Sequence, residues 1–324
     1  MNKPLVWQLL DSRDIGGIES HCATLKETLD PIADVQIRLL CEYGPHPSLA
    51  AYGAQAVRPG LIRAFLREKP VAIHTHGYKA TLLARTLLRP LGARLCTTYH
   101  AGETLKGKMA FYGWLQKLTG FLSQQNFAVN PALARQAGWG SQVLDNFIAP
   151  QPLALEGKQI AFAGRLSKEK GHDRLPGIAA SLGQVIHVYG DGDREGLEGD
   201  PLLKLHGAVS SMSPHWKNIG VLIMPSRHEG LPMAALEAIS RGIPVVACDV
   251  GALNQIVANP DCGALVKHYQ PEAFAQAIQS VRNRRSLTQS SQCRAHCEAR
   301  FSPVKALNRL RYAYGLQGLE ESYA

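Results

Sequence analysis

The chain has 324 residues, of which 45% are hydrophobic and 19% are charged. This composition is typical of a folded protein and not of a disordered one, and the length suits two domains of about 150 residues each. The formal net charge of +9 is concentrated in residues 1–150, which hold 16 Lys and Arg against 10 Asp and Glu. Such a charge suits a polyphosphate ligand or an anionic membrane surface. Nucleic acid is disfavoured as a partner because no nucleic-acid-binding motif is present.

The seven cysteines are scattered and odd in number, which indicates reduced thiols in the cytoplasm and not a disulfide framework. The apolar run before Asp11 has only seven residues, too short for the core of a signal peptide. No run approaches the roughly 18 apolar residues of a membrane span, so we expect a cytoplasmic protein. Cys293, His296 and Cys297 are clustered, but without a second ligand pair an ordinary helix face is favoured over a metal site.

Short apolar runs in the first half alternate with segments whose apolar residues recur at helical spacing, such as HCATLKETL and KATLLARTLL. Continuous apolar runs separated by helices predict parallel strands joined by right-handed crossovers. The predicted strands of this half are residues 5–10, 35–41, 71–76, 94–100, 126–130 and 142–147.

Gly16 and Gly17 follow the first predicted strand, and a helix is predicted to start near Ile18. A diglycine at this point lets the backbone approach a phosphate in front of helix N-terminal amides. It is not the G-x-G-x-x-G dinucleotide fingerprint, and a simple tight turn explains it equally well. Both interpretations stay open on sequence grounds.

Two further features lie at the end of the fourth predicted strand of this half and in the segment after it. His100 ends the run TTYH, where a structural histidine and a catalytic one are both consistent with the sequence. The segment 103–125 combines three lysines with an apolar and aromatic stripe. A basic helix of this kind either lies in a lipid interface or packs its aromatic residues on the first sheet. The lysines are Lys106, Lys108 and Lys117.

Two prolines interrupt the pattern at residues 146–159, which we interpret as an interdomain linker. The second half again alternates short apolar runs with helical segments. The chain is therefore predicted to form two doubly wound α/β domains facing a cleft. Ligands of such sheets bind beyond the carboxyl ends of the strands. The predicted domains are residues 1–150 and 151–305, with a helix in 306–324 that packs back on the first. The predicted strands of the second half are residues 160–165, 185–190, 204–209, 221–226, 244–250 and 263–267.

Arg165 and Lys170 follow the first strand of the second half, five residues apart in the run GRLSKEKG. Arginine offers a fork for paired oxygens and lysine a mobile point charge, so together they suit a diphosphate. A solvated basic loop is the alternative.

The run RHEGLPMAALEA places one glutamate before a helix and another within it. Pro232 fits the first helical turn, and Glu237 then lies in the second turn. Glu229, just ahead of the helix, can reach a bound hydroxyl. The alternatives are that Glu229 is an acidic residue stabilised by the helix dipole and that Glu237 is a surface carboxylate.

Taken together, GGIES, TTYH, GRLSKEKG and HEGLPMAALEA occur in the order and at the spacing of retaining GT-B nucleotide-sugar glycosyltransferases, and the chain resembles that family over nearly its whole length. The resemblance is strongest from residue 160 to 266. VYGDGD, with Gly190, is similar to the family's glycine-containing turn. HGAV, ending at Val209, is similar to its base-binding strand end.

The resemblance implies distinct roles for these side chains. Glu237 would accept hydrogen bonds from the ribose hydroxyls. Glu229 would hold hydroxyls of the donor sugar, aided by amides around Gly230, Leu231 and Pro232. Arg165 and Lys170 would neutralise the departing diphosphate without a metal ion. Gly17 would bring helix amides to the phosphates, and His100 would contact the sugar near the reacting carbon.

Two positions depart from the family pattern, because Ala252 and Gln255 stand in VGALNQIV where a glycine and a glutamate are usual. The chain lacks an Asp-x-Asp metal motif outside the glycine turn that carries Asp191 and Asp193. We therefore expect a metal-independent enzyme without a cofactor.

The predicted function is transfer of a sugar, with retention, from a UDP-sugar or GDP-sugar to a growing envelope glycan such as lipopolysaccharide, exopolysaccharide or a lipid-linked saccharide. One alternative is a nucleotide-sugar 2-epimerase, since fold alone does not determine activity. The other is a catalytically silent nucleotide-binding subunit of a polysaccharide assembly complex. An anionic membrane surface on the inner face of the cell membrane is the expected further partner.

Overall fold

The computed structural model describes residues 3–11, 17–40, 53–57, 60–100 and 107–317. The chain divides into two compact units, Met1–Phe147 with Pro303–Ala324, and Ile148–Ser302. Two residues singled out in the sequence, Gly16 and Lys106, lie outside the described residues.

The first unit is built on a seven-stranded parallel sheet with strand order β3-β2-β1-β4-β5-β6-β7. All six strands predicted for this half are present. A short additional strand, β3, is exposed and has no apolar run, so hydrophobic pattern alone does not reveal it. The strands are β1 (Leu5–Leu10), β2 (Asp34–Leu39), β3 (Gln55–Ala56), β4 (Ala72–His76), β5 (Leu95–Tyr99), β6 (Gln125–Ala128) and β7 (Gln142–Val143).

Helices cover both faces of this sheet, as continuous burial of the central strands requires. One face packs on α11 (Pro303–Tyr314), the last helix of the described residues, whose Leu310 and Tyr314 are buried with Val6 of β1. The hydroxyl of Tyr314 accepts a hydrogen bond from Gln8 Nε2 at 3.2 Å. The helices of this unit are α1 (Gly17–Leu29), α2 (Leu61–Glu68), α3 (Tyr78–Leu83, continued by a π-helical turn Ala84–Leu88 and a 3₁₀ turn Arg89–Leu91), α4 (Lys108–Leu118, followed by a 3₁₀ turn Gly120–Leu122), α5 (Pro131–Ala137) and α11 (Pro303–Tyr314).

The second unit contains a six-stranded parallel sheet with strand order β10-β9-β8-β11-β12-β13. All six predicted strands are present, and the central strand β11 is buried along its whole length. The strands are β8 (Gln159–Ala163), β9 (Ile186–Tyr189), β10 (Leu203–Gly207), β11 (Ile219–Met224), β12 (Val245–Cys248) and β13 (Gly263–Val266).

Helices of the second unit lie between several of its strands, and two further helices follow its last strand. Cys293 and Cys297 are one turn apart on the buried face of α10 (Leu287–Phe301), with each thiol directed at a backbone carbonyl of α7 (Met233–Ser240). His296 bonds the carbonyl of Gln255, so these three side chains belong to ordinary helix packing. The helices are α6 (Leu175–Leu182, preceded by a 3₁₀ turn His172–Arg174), α7 (Met233–Ser240), α8 (Leu253–Ile256), α9 (Pro271–Asn283) and α10 (Leu287–Phe301), with a 3₁₀ turn at Trp216–Asn218.

Both sheets reverse their strand order once, between β1 and β4 in the first unit and between β8 and β11 in the second. Crevices for ligands form beyond the carboxyl ends of strands at such switch points. The predicted α/β class with doubly wound parallel sheets is confirmed. Among the described residues, no helix is both long enough and apolar enough to span a membrane.

Helix α4 has its apolar side outward, contrary to the interpretation that its aromatic residues pack on the sheet. Phe111 and Trp114 are 58% and 57% exposed. The buried positions of the helix are Gly113 and Gln116. Gln116 donates to the hydroxyl of Thr81 at 3.0 Å. The alternative of a core-facing aromatic stripe is therefore wrong for these residues.

Candidate functional site

The loop after β8 is held against the turn after β9. Gly190 has φ +143°, and a Cβ atom there would lie 1.9 Å from the carbonyl oxygen of Gly164. Any side chain at position 190 would therefore push the two strand ends apart. Leu166 of the same loop pairs with Gly192. This close approach fixes the backbone from which Arg165 and Lys170 project.

Arg165 lies at the edge of the loop with its side chain 50% exposed, and its guanidinium is 3.6 Å from the Glu169 carboxylate. Exposed pairs of this kind contribute little to folding stability. The position of Arg165 beyond β8 is therefore not explained by its contribution to the stability of the fold.

Lys170 and Glu229 form a close ion pair, with Lys170 Nζ 2.7 Å from Glu229 Oε2. The hydroxyl of Ser226 donates to the second carboxylate oxygen, also at 2.7 Å. The Glu229 side chain is only 2% exposed, whereas that of Lys170 is 29% exposed. The carboxylate is thus fixed in a single orientation, and a buried charge is tolerated because it is paired and hydrogen-bonded.

The backbone brings these two residues together, although they are 59 positions apart. Gly171 has φ +73°, and a Cβ atom there would lie 2.1 Å from the carbonyl oxygen of Pro225. The guanidinium of Arg227 donates two hydrogen bonds to Asp173, at 2.7 and 2.8 Å. These bonds lower the pKa of Asp173. The loop after β8 is therefore clamped to the segment after β11.

Glu237 lies in the second turn of α7, as predicted, and is half-buried. Its Oε2 accepts a hydrogen bond from the indole Nε1 of Trp216 at 2.9 Å. This contact is absent from both sequence interpretations. Pro232 takes the N-cap position with extended backbone (φ −72°, ψ 126°) and the helix begins at Met233. The expectation that Pro232 sits in the first helical turn is thus wrong by one residue.

The turn between Glu229 and α7 packs on the segment that departs from the family pattern. Leu231 is buried, and the carbonyl of Gly230 accepts from the amide of Ala252 at 3.0 Å. Gln255 accepts from Arg300 at 2.8 Å. Ala252 and Gln255 therefore have structural partners within the second unit.

Aromatic rings gather near the ends of β9 and β10. The imidazole of His206 stacks on Tyr189 with centroids 4.2 Å apart, and His187 stacks on His206 at 5.2 Å. Val209 follows β10 and is half-buried. Sequence reasoning identified the strand end but not these stacked rings.

In the first unit, His100 is paired with a histidine from the neighbouring strand. His100 Nε2 is 2.8 Å from His76 Nδ1. Burial lowers the pKa of both imidazoles well below the usual value. His76 was missed in the sequence, although HTH and TTYH end adjacent parallel strands and therefore meet at one sheet edge. Gly17 begins α1.

Comparison with known proteins agrees with this architecture. Residues 157–283 match the sequence model of the family Glycosyl transferases group 1. The D-inositol 3-phosphate glycosyltransferase of Geodermatophilus obscurus is 31% identical over 179 residues, covering 48% of this chain and 39% of the relative. The GDP-mannose-dependent alpha-mannosyltransferase of Mycobacterium tuberculosis is 32% identical over 133 residues, covering 38% and 35% respectively. The matches thus span well under half of each relative.

A solved structure extends the likeness of fold to nearly the whole chain. HepE of Anabaena, solved in complex with UDP-glucose, aligns with a TM-score of 0.76 and 16% identity, covering 96% of this chain and 99% of its own. The fold is that of the GT-B glycosyltransferases. The resemblance to GT-B glycosyltransferases is confirmed in the fold, and residues 157–283 match the sequence model of the Glycosyl transferases group 1 family.

Proposed function

We propose that this protein is a glycosyltransferase that moves a sugar from a nucleotide-sugar to a saccharide or lipid-linked saccharide acceptor, with retention. The observation that carries the proposal is the ion pair between Lys170 and Glu229 beyond β8 and β11, with Arg165 half-exposed in the same loop as Lys170. These residues lie inside the segment that matches the family.

We infer a task in sugar transfer for each charged group. Breaking the bond between the sugar and the diphosphate leaves negative charge on the departing phosphate. Arg165 and the exposed side of Lys170 supply preorganised positive charge there, which lowers the barrier. Glu229 is held by Lys170 and Ser226, so it positions sugar hydroxyls. We do not assign it as a nucleophile.

In the retaining reaction that we propose, the acceptor hydroxyl attacks from the face of the leaving group. A phosphate oxygen of the donor takes the acceptor proton, and His100 contacts the sugar near the reacting carbon. Glu237 holds the ribose, and the strand ends at Gly190 and Val209 hold the nucleotide. The acceptor that we propose is a bacterial envelope glycan.

The direct test is incubation with a panel of UDP-sugars and GDP-sugars while nucleotide release is followed. Slow hydrolysis of one donor without acceptor is expected, and it identifies base and sugar together. Conversion of the donor to its 2-epimer would support an epimerase instead. Binding of nucleotide without turnover of any donor would support a silent subunit.

Turnover is expected to persist without divalent metal, because Arg165 and Lys170 provide the charge that a metal ion otherwise supplies. The measurement is turnover of the selected donor in excess EDTA compared with Mg²⁺ or Mn²⁺. Asp191, one of the two aspartates of the glycine turn, is bonded to Arg194 at 3.0 Å. Complete loss in chelator that Mg²⁺ restores would contradict this expectation.

We further propose that the exposed side of α4 binds an anionic membrane surface. Phe111 and Trp114 stack on each other with centroids 6.0 Å apart. Phe121 and Trp139 form a second exposed aromatic pair at 5.3 Å. Trp139 is held at φ +52°, a strained backbone for a bulky residue. Large side chains fixed at the surface in this way are typical of an interaction site.

Positive charge flanks these rings. Lys108 begins α4 and Lys117 lies in its last turn, and both are exposed. Basic residues near an anionic lipid surface contribute about 1 kcal/mol each, while aromatic side chains enter the interface. Exposed aromatic rings with lysines beside them fit an anionic lipid surface, so we propose a membrane and not a protein as the partner of this side of α4.

The protein is therefore expected to co-sediment with vesicles containing anionic lipid, and less so in high salt. Replacing Lys106, Lys108 and Lys117 with glutamate should abolish the binding. Equal recovery in the supernatant with anionic and neutral vesicles at low salt would contradict the proposal.

A second pair of variants separates the aromatic contribution from general surface hydrophobicity. Phe111→Ser with Trp114→Ser should weaken vesicle binding. Ile62→Ser with Leu66→Ser is the matched control, since Ile62 and Leu66 are also exposed, at 40% and 53%, but lie on α2. Equal loss in the two pairs would contradict a site on α4.

A further inference from the structure

Three histidines meet in the first unit at the carboxyl ends of β4 and β5. His76 ends β4, His100 follows β5, and His21 comes from α1. One ring nitrogen from each lies within 4.8 Å of the other two. The ring centroid of His21 is 5.7 Å from that of His76 and 5.1 Å from that of His100. Neither His21 nor His76 has a role in the transfer reaction proposed above.

His21 is the unusual member, because it is fully buried and neither of its ring nitrogens has a hydrogen-bond partner among the described residues. Burying a polar group without a partner costs free energy, and most buried polar groups are satisfied. Phe147 packs against the ring at 5.9 Å and offers no polar atom. The free nitrogens of His21 therefore indicate a ligand within the cluster.

The surroundings of His76 fix which nitrogen faces the cluster. His76 Nε2 is 2.8 Å from Gln8 Oε1, an acceptor, so this nitrogen carries the proton. The Gln8 amide is oriented by its donation to the Tyr314 hydroxyl. His76 Nδ1 therefore presents a lone pair on the side of His100. A hydrogen bond behind a ligating imidazole is the usual arrangement of a metal site.

Burial lowers the pKa of His21 to about 4, and it lowers the pKa values of His76 and His100 well below the usual value. Metal ions bind the neutral form of the imidazole ring. His100 Nε2 donates its proton to the lone pair of His76 Nδ1, so this proton moves to His100 Nδ1 when Nε2 binds a metal, and the ring loses no proton.

We propose that His21, His76 and His100 form a binding site for a divalent transition metal, with Zn²⁺ as the best match. Zinc binds imidazole at about 2.0–2.1 Å in tetrahedral geometry, which spaces the nitrogens about 3.4 Å apart. The present spacing of at most 4.8 Å closes to this by small rotations of the rings. Mg²⁺ and Ca²⁺ prefer oxygen ligands and are not expected to bind.

Three neutral nitrogens leave the fourth position of the metal open. The metal ties α1 to the ends of β4 and β5, so it stabilises the first unit. If the transfer reaction is as proposed above, bound Zn²⁺ also withdraws His100 from the donor sugar. Zinc is then an inhibitor of transfer, and this consequence alone rests on the proposed function.

The test is binding of Zn²⁺ to the full chain after removal of metal with chelator, by equilibrium dialysis with metal analysis. One Zn²⁺ per chain is expected, with a rise in Tm that Mg²⁺ does not produce. Co²⁺ at the same site should give the visible absorption of a four-coordinate nitrogen environment. Absence of stoichiometric Zn²⁺ binding by the wild-type protein would overturn the proposal.

Variants then locate the site. His21→Gln is expected to lower Zn²⁺ affinity by about 100-fold or more, since even the loss of a supporting contact costs 10–100-fold. His100→Gln, at a partly buried position, provides the same test if His21→Gln does not fold. His206→Gln is the matched control, because His206 belongs to the histidine pair of the second unit. Unchanged affinity in the first two variants, or loss in the control, would refute the assignment. None of these measurements depends on transferase activity.

Discussion

Turnover of the nucleotide-sugar is expected to fall by about 10²-fold when Arg165 is replaced by alanine. This is the size of effect found when one preorganised charge is removed from a transition state. The folding stability should change little, because Arg165 is half-exposed and its ion pair with Glu169 spans 3.6 Å. Steady-state kinetics and a thermal melt of the same preparation measure the two effects.

Arg294→Ala is the matched control for this substitution. Arg294 forms the same kind of i,i+4 pair, with Glu298 at 3.4 Å and a similarly exposed side chain, but it lies on α10. Its turnover should equal that of the wild type. Near-normal turnover of Arg165→Ala, or equal losses in the two variants, would leave the phosphate assignment without support.

Lys170→Met should reduce turnover at least as strongly, but it also removes the partner of a buried carboxylate. Glu229 is 2% exposed, and an unpaired buried charge costs about 3–5 kcal/mol. The double variant Lys170→Met, Glu229→Gln removes that charge, so it should regain stability without regaining turnover. Recovery of both together would mean that Lys170 acts through the fold alone.

The hydrophobic pattern of the sequence predicts every strand of the described residues except β3. Continuous apolar runs predict buried parallel strands because both faces of the sheet are covered. A two-residue edge strand such as Gln55–Ala56 leaves no such signal. The sheet order is likewise not encoded locally, since β8 pairs with β11 and not only with its successor.

The candidate site shows the same limit. The positions of Arg165, Lys170 and Glu229 at strand ends follow from the sequence. The direct pairing of Lys170 with Glu229 depends on β8 and β11 being neighbours, and on the close approach at Gly171. Ser226 was missed because a single serine after a strand carries no distinctive pattern.

Helix α4 illustrates a conflict that pattern cannot resolve. Its apolar stripe is visible in the sequence, but the buried side is decided by polar contacts. Arg85 is buried and donates to the carbonyl of Gln116 at 2.5 Å, and Gln116 in turn bonds Thr81. Satisfying these buried groups turns the aromatic side outward. The outcome requires knowledge of residues from α3 and the turn after it.

Glu237→Gln is expected to weaken binding of the nucleoside diphosphate by about 10–100-fold. Hydrogen bonds to a charged group contribute about 1.5–3 kcal/mol, and each 1.4 kcal/mol is tenfold in affinity. Glutamine keeps an oxygen for the indole of Trp216, which now bonds the carboxylate at 2.9 Å. The helix should therefore fold normally, and the loss should come from the ribose hydroxyls.

The dissociation constant, measured by titration calorimetry with the nucleotide that the donor panel selects, checks this expectation. A 2′,3′-dideoxy analogue lacks the hydroxyls that Glu237 is proposed to hold. Wild type and Glu237→Gln should bind this analogue almost equally, while only the wild type gains from the natural ribose. Because the ribose is held alike in the ground state and the transition state, KM should rise with little change in kcat. If the analogue loses as much affinity in the variant as the natural nucleotide does, Glu237 supports the position of Trp216 and does not contact the ribose.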